Sequence, residues 1–202
     1  GLFALPVNVN DGKHPSNLAP ETRANVNRLL RSPIRGVIYH GASYWRFPFL
    51  ERQKDVHSVA FDFFDAGGPI PGGAVLVDYE AGIYAATKHL ASLGHRRILL
   101  LTLKPATFPL PDPEHAARHP LTQYEHGYGK AMVEHGLDAF REIAYYRAPG
   151  VDKPDDVVRG ILARSHRPTA FVCTSDHFAF RLLAVAAELG LAAPEDLAVT
   201  GM

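Results

Sequence analysis

The chain alternates short, unbroken runs of apolar residues with longer segments in which apolar and polar residues mix. Unbroken runs of this kind are typical of parallel strands, because both faces of such a sheet are covered. Eight strands are predicted in this way, at residues 2–9, 36–39, 59–62, 74–77, 98–103, 143–146, 170–173 and 197–200.

Between the strands, apolar residues recur at helical spacing, which predicts helices at residues 20–30, 80–93, 124–135, 155–164 and 177–189. The second of these places Ile83, Ala86 and Leu90 on one face. Strands that alternate with helices of this length predict an α/β fold built on a doubly wound parallel sheet.

A basic turn, His95-Arg96-Arg97, joins a predicted helix to the strand at residues 98–103. Gly94 just before it is predicted to end the helix in the left-handed conformation, and basic residues there complement the negative end of the helix dipole. The whole chain has 21 Lys and Arg against 21 Asp and Glu, a net charge of +0. Because a surface that binds nucleic acid usually carries a basic excess, we interpret this turn as structural.

The composition also bears on the compartment. Cys173 is the one cysteine of the chain and lies in an apolar run, which excludes an internal disulfide and predicts a buried thiol in a reducing compartment. The longest apolar runs are far shorter than a membrane-spanning helix, and the first residues lack the basic start of a signal peptide. We therefore expect a cytoplasmic chain without a membrane segment.

Motifs for cofactors and metals are absent or weak. The sequence has no G-x-G-x-x-G after a strand and no G-x-x-x-x-G-K-[ST], so no cofactor is predicted. His115 and His119 have the i, i+4 spacing of zinc ligands, but they fall in a proline-rich segment without the accompanying glutamate, and we predict no metal site. That segment, residues 104–120, and the glycine-rich residues 67–73 are predicted loops of the functional or mobile kind.

Ser175 and Asp176 follow the strand at residues 170–173 and precede a helix. This is the carboxyl end of a parallel strand, where open α/β sheets bind ligands. Alternatively, either side chain caps the helix, and the two roles are compatible. With His177 the run holds the three residue types of a catalytic triad, but neighbours in sequence cannot converge on one substrate, so we predict no enzyme.

A second set of candidate side chains follows the strand at residues 36–39. His40, Tyr44 and Trp45 would emerge at the carboxyl edge of the sheet. An aromatic face beside polar groups suits a sugar or a flat ring. The alternative is that Trp45 packs against the next helix or a partner subunit.

Two long segments resemble the second effector lobe of LacI/GalR-family bacterial transcription regulators. They are VLVDYEAGIYAATKHLASLGHRRILLLT (residues 75–102) and RPTAFVCTSDHFAFRLLAVAAELGLAAPEDLAVTGM (residues 167–202). RGVIYHGAS (residues 35–43) and HSVAFD (residues 57–62) fit the first lobe. The resemblance implies the periplasmic-binding-protein type I fold, incomplete here, with two doubly wound lobes at residues 1–78 and 79–202 that close on a ligand.

The same resemblance implies site residues. Asp62 falls where the family often has an effector-contacting aspartate, and Ser175-Asp176 falls on its Asn-Asp pair, with serine in place of asparagine. Tyr124 falls on an arginine that commonly holds sugar hydroxyls, and Arg118 is a candidate to replace that arginine. These departures disfavour a plain hexose as the effector.

The function implied by the resemblance is that of an effector-sensing domain. We expect a fragment that binds a sugar or sugar derivative, forms a homodimer and acts on operator DNA through a headpiece outside this sequence. The alternatives are an exported periplasmic sugar-binding protein of the same fold and an α/β enzyme acting on sugars.

Overall fold

The computed structural model describes residues 24, 28, 36–40, 57–61, 73–103, 119–146 and 153–202. The chain divides into two compact units, Gly1–Val77 and Asp78–Met202. The predicted strand at residues 2–9 and most of the two predicted loops lie outside the described residues.

The first unit contains a parallel sheet of three described strands in the order β1-β2-β3. They are β1 (Gly36–His40), β2 (His57–Phe61) and β3 (Gly73–Val75). All three lie at predicted positions, although β2 begins two residues before the predicted start. Ala24 and Arg28 are helical, within the predicted helix at residues 20–30.

The second unit is a four-stranded parallel sheet in the order β5-β4-β6-β7. Its strands are β4 (Ile98–Thr102), β5 (Glu142–Tyr145), β6 (Ala170–Cys173) and β7 (Ala198–Thr200). Its helices are α1 (Tyr79–Ser92), α2 (Pro120–Glu134), α3 (Pro154–Leu162) and α4 (Asp176–Glu188), with a short 3-10 helix at Asp138–Phe140.

Helices cover both faces of this second sheet. The core of the first face joins α1 and α2 to Ile98, Leu100 and Val172. The core of the second face joins α3 and α4 to the alternate strand residues, among them Leu99 and Phe171. Successive side chains of a strand point to opposite faces, so unbroken apolar strands are what a doubly wound sheet requires. The predicted fold class is confirmed for this unit.

Glycines follow two of the helices, and Gly94 does so as predicted. Gly94 after α1 has φ 93° and Gly190 after α4 has φ 74°, conformations that favour a residue without a side chain. The start of α2 differs from the prediction, because the helix begins at Pro120 rather than at Tyr124. Proline suits the first turn since its missing N–H has no helical partner there, and His119 Nδ1 accepts from the Leu121 N–H at 3.2 Å. None of the helices in the described ranges is long and apolar enough to cross a membrane.

Candidate ligand-binding site

The second sheet has a topological switch point between β4 and β6. β5 pairs with one side of β4 and β6 pairs with the other. The chain therefore leaves β4 for α2 on the first face, whereas it leaves β6 for α4 on the second face. Segments that diverge in this way open a crevice at the carboxyl ends of the two strands, the usual ligand site of open α/β sheets.

Two threonines meet at this switch point. Thr102 ends β4 and Thr174 follows β6, and the Thr174 hydroxyl donates to Thr102 Oγ1 at 3.2 Å. Thr102 is fully buried, whereas Thr174 is partly exposed. Because the Thr174 N–H donates to the Leu101 carbonyl at 3.1 Å, the backbone fixes this hydroxyl at the crevice. Neither threonine was predicted as a site residue from the sequence, although both lie at the end of a predicted strand.

Ser175 is the N-cap residue of α4. Its Oγ accepts a hydrogen bond from the His177 N–H at 3.2 Å, and its carbonyl accepts from the Phe178 N–H at 3.0 Å. This confirms the capping alternative stated for Ser175. A contact between Ser175 and a ligand stays a prediction.

Asp176 is the first residue of α4, and its side chain is exposed at the carboxyl edge of the sheet. Its N–H donates to the Met202 carbonyl at 3.1 Å, which ties the start of α4 to the segment after β7. The carboxylate lies over Gly201, where a Cβ atom would collide with Oδ1. The lack of a side chain at Gly201 therefore makes room for this carboxylate, and the positive end of the helix dipole stabilises its charge.

Tyr124 lies in the core of the first face rather than on an open surface. It is 9% exposed, and its ring packs edge-to-face on Tyr79 with the ring centroids 5.1 Å apart. Only the rim of this side chain is open to a ligand, so packing accounts for most of its surface. The predicted ligand contact stays a prediction.

The other predicted site residues fall outside what the structure describes. Asp62, Tyr44, Trp45 and Arg118 are not among the described residues, and the description of His40 is limited to its backbone at the end of β1. Within the ranges that are described, no three His, Cys, Asp or Glu side chains are grouped to hold a metal ion.

An ion pair that was not predicted from the sequence connects α4 to α3. The Asp155 carboxylate at the start of α3 accepts from Arg181 Nε at 3.2 Å, from Arg181 Nη2 and from the Tyr146 hydroxyl at 2.7 Å. The hydrogen bonds from Arg181 and then from Tyr146 lower the pKa of Asp155. The centroids of the Tyr146 ring and of the Phe178 ring on α4 are 4.7 Å apart. This cluster connects the end of β5, α3 and α4, and so orients the helix that carries Asp176.

Cys173 precedes the candidate site in sequence but is not part of its reactive surface. The thiol is 1% exposed, and burial, with a smaller effect of the Asp176 charge, raises its pKa to about 12. A thiol with this pKa is protonated at neutral pH and is a poor nucleophile. The predicted buried position of Cys173 is confirmed.

Residues 87–202 match the model of the periplasmic binding protein-like domain family. Because this match covers more than half of the chain, the protein belongs to that family. Its relatives are LacI-family transcription regulators, and the resemblance proposed from the sequence is thereby confirmed as that of an effector-binding domain.

Two similar proteins are transcription regulators. The chain is 30% identical over 146 residues to the uncharacterized HTH-type transcriptional regulator YvdE of Bacillus subtilis (strain 168), covering 72% of this chain and 38% of that protein. It is 34% identical over 131 residues to the arabinose metabolism transcriptional repressor of Geobacillus stearothermophilus, covering 63% and 33% respectively. The chain thus spans less than half of the length of either relative.

Solved structures of LacI-family regulators have the same fold as this chain. The crystal structure of a LacI transcriptional regulator from a Rhodococcus species superposes with a TM-score of 0.65 at 25% identity, covering 92% of this chain and 63% of that one. A regulatory protein of the LacI family from Chloroflexus aggregans gives a TM-score of 0.63 at 26% identity, covering 88% and 60%. The predicted fold class is confirmed.

Proposed function

We propose that this chain is the effector-sensing part of a LacI/GalR-type transcription regulator, and that its effector binds at the carboxyl edge of the second sheet. The observation that carries the proposal is the placement of Asp176, an exposed carboxylate held over Gly201 beside the β4–β6 switch point. The names of the relatives support a regulator over an exported binding protein or an enzyme.

The chemistry of this edge favours an uncharged polyhydroxy ligand. Asp176 accepts hydrogen bonds, and the hydroxyls of Thr174 and Ser175 both donate and accept them. These three groups favour a ligand that offers several hydroxyl groups. A sugar or sugar derivative offers the hydroxyl donors that a carboxylate binds well.

The regulatory step would be a shift between two states of the regulator. An effector that binds one state about 5- to 150-fold better than the other supplies about 1–3 kcal/mol of coupling. The two compact units correspond in this proposal to two effector-binding lobes, and the regulator acts in the cytoplasm as a homodimer. Operator DNA is bound by a headpiece outside this sequence, in keeping with the net charge of +0.

A thermal-shift screen of sugars, sugar acids and nucleosides tests the proposal. The panel includes L-arabinose, because one relative is named an arabinose metabolism repressor, and D-ribose, which is bound in a solved structure of the same fold. A compound that binds the folded state raises the melting temperature by mass action. We expect at least one neutral sugar of the panel to do so.

Two matched variants locate the site. Asp176→Asn removes the charge at the start of α4, and Asp156→Asn removes an exposed charge in the first turn of α3. The shift caused by the sugar should shrink in Asp176→Asn and persist in Asp156→Asn. A panel without any active compound, or equal shifts in both variants, would contradict the proposal.

A further inference from the structure

An open pocket of about 290 Å³ lies at the amino edge of the second sheet, where β4 and β5 begin. The candidate ligand-binding site lies at the other ends of these strands. Because β4 has five residues that rise about 3.3 Å each, a distance of about 15 Å separates the pocket from Thr102 at the switch point. The residues that line the pocket include two arginines and several apolar side chains, namely Arg97, Arg141, Ile98, Phe140 and Pro168.

Hydrogen bonds to the backbone hold the walls of this pocket in place. The Arg97 carbonyl accepts from the Thr169 N–H at 3.0 Å, which ties the basic turn to the segment before β6. On the other side, the Tyr128 hydroxyl donates to the Ile98 carbonyl at 2.7 Å and accepts from the Glu142 N–H at 2.9 Å. A pocket held in this way is preformed, so a ligand that enters it orders few side chains and loses little affinity for that reason.

The charges around the pocket leave one arginine over. Arg141 Nη1 lies 3.4 Å from Asp138 Oδ1, and Glu142 on the pocket wall is paired with Arg164. The exposed Arg97 side chain makes no hydrogen bond or ion pair with any residue in the described ranges. These three arginines stand against two carboxylates, so the pocket has one positive charge that an anionic ligand can neutralise.

The rest of the pocket wall is apolar. Phe140 is 49% exposed beside the two arginines, and Ile98 and Pro168 are buried residues that line the pocket from the sheet side. An aromatic ring next to guanidinium groups suits a ligand with an apolar body and one anionic end. The volume is close to the lower limit of the roughly 300–1,000 Å³ typical of ligand pockets, so the fitting ligand is a small one.

We propose that this pocket is a second ligand site and that it binds a small monocarboxylic acid with an apolar ring. The carboxylate pairs with Arg97, whose fork of N–H donors matches two carboxylate oxygens. The ring lies against Phe140 and Pro168. One unneutralised positive charge matches one carboxylate, whereas a phosphate monoester would bring nearly two negative charges.

Benzoate is the probe that tests this proposal, because it combines one carboxylate with an apolar ring. Benzamide has nearly the same shape without the charge, and acetate has the charge without the ring. Each compound is titrated into ¹⁵N-labelled protein at constant ionic strength, and the shifts of the amide resonances give the dissociation constant. We expect a value on the order of 1 mM for benzoate, and values about tenfold higher or more for both controls. Shifts that do not saturate with benzoate, or equal affinity for benzoate and either control, would overturn the inference.

Two neighbouring arginines provide matched variants. Arg97 lines the pocket, whereas Arg96 is exposed outside it, and because both are exposed both variants should keep the native fold. Arg97→Gln should raise the dissociation constant for benzoate about tenfold or more, since a charge-assisted hydrogen bond is lost. Arg96→Gln should change it by less than about twofold, as expected of a distant, solvated charge. Phe140→Ala should raise it about threefold, because the ring loses its aromatic neighbour. Equal losses in the two arginine variants would overturn the inference.

The same titration locates the bound acid. Benzoate should shift the amide resonances of Phe140, Arg141 and Glu142, which border the pocket, and leave those of Ser175 and Asp176 in place. Shifts centred on Ser175 and Asp176 would put the acid at the carboxyl edge instead and overturn the inference. Because no sugar takes part in these titrations, their failure would leave the proposed function standing.

Discussion

The two faces of the second sheet hold their helices in different ways. On the first face, α1 and α2 cross so closely that a Cβ atom at Gly127 would collide with the Glu80 carbonyl oxygen. On the second face, α3 and α4 are joined at their rim by the exposed ion pairs Arg181–Asp155 and Arg159–Glu188. Backbone contact leaves no room for adjustment, whereas ion pairs between long side chains do. The first face therefore has the closer helix crossing, and the second carries the helix with the candidate ligand residue.

The largest expected effect concerns Gly127. Gly127→Ala should lower the free energy of unfolding by about 2–3 kcal/mol, because the added methyl group collides with the Glu80 carbonyl and the two helices must separate. Gly160→Ala on α3 is the matched control, since a Cβ atom there meets nothing within 4 Å. The control should gain about 0.5–1 kcal/mol from helix propensity. Urea denaturation of both variants measures the difference, and equal stabilities would remove the contrast between the faces.

The next effect concerns a buried hydroxyl on the first face. The Tyr128 hydroxyl donates to the Ile98 carbonyl at 2.7 Å and accepts from the Glu142 N–H at 2.9 Å, so it bridges the starts of β4 and β5. Tyr128→Phe should cost about 1–3 kcal/mol because it leaves two backbone groups without this partner. Tyr145→Phe removes only a longer, partly exposed contact with Glu125 and should cost less in the same urea titration. A larger loss in Tyr145→Phe would contradict this account.

At alkaline pH, one buried ionisable group on each face should lower the free energy of unfolding, and the two groups should do so by different amounts. Burial raises the pKa of Cys173 on the second face from 9.0 to about 12, and that of Tyr128 on the first face from 10.0 to about 12. Each group ionises more readily in the unfolded chain, so its contribution is full below the unfolded pKa and is lost as pH rises towards 12. At pH 10, ionisation of the thiol in the unfolded chain should already lower the free energy of unfolding by about 1 kcal/mol. The phenol should lower it by less.

Chemical denaturation at pH 8 and pH 10 checks this expectation. Cys173→Ala should lose less stability between the two pH values than the wild type does, by about 1 kcal/mol. Tyr128→Phe should reduce the loss of stability between pH 8 and pH 10 by a smaller amount than Cys173→Ala does. A loss that is the same in the wild type and in Cys173→Ala would show that folding does not raise the pKa of the thiol.

The smallest effect is expected at the rim of the second face. Asp155→Asn weakens the pairing with Arg181, and because this ion pair is partly exposed we expect a loss below about 1 kcal/mol that shrinks further in high salt. Urea denaturation at low and high ionic strength measures it. A loss as large as that of Gly127→Ala would mean that the ion pairs, not packing, hold the second face together.

The sequence predicted those features that depend on local pattern. Unbroken apolar runs such as residues 98–103 and 170–173 predicted strands that the structure contains, and Gly94 ends a helix as expected. The start of α2 was missed because Pro120 stands at the end of a proline-rich segment, which was interpreted as a loop throughout.

Contacts between segments that are distant in sequence could not be predicted from the pattern of apolar and polar residues. Gly127 lay within a predicted helix, but its approach to Glu80 depends on how α1 and α2 cross. Asp155 was only the first residue of a predicted helix, although its carboxylate binds Tyr146 and Arg181. Ser175 and Asp176 were found because position alone, at the end of a strand, identifies them.

The central claim is that the effector binds beside Asp176, and titration calorimetry tests it most directly. The sugar that stabilises the wild type most would be titrated into the wild type and into Asp176→Asn at one pH. We predict a dissociation constant about 10- to 100-fold higher for Asp176→Asn, the loss expected when a hydrogen bond to a charged acceptor is weakened. An unchanged dissociation constant in a variant that melts like the wild type would contradict the claim.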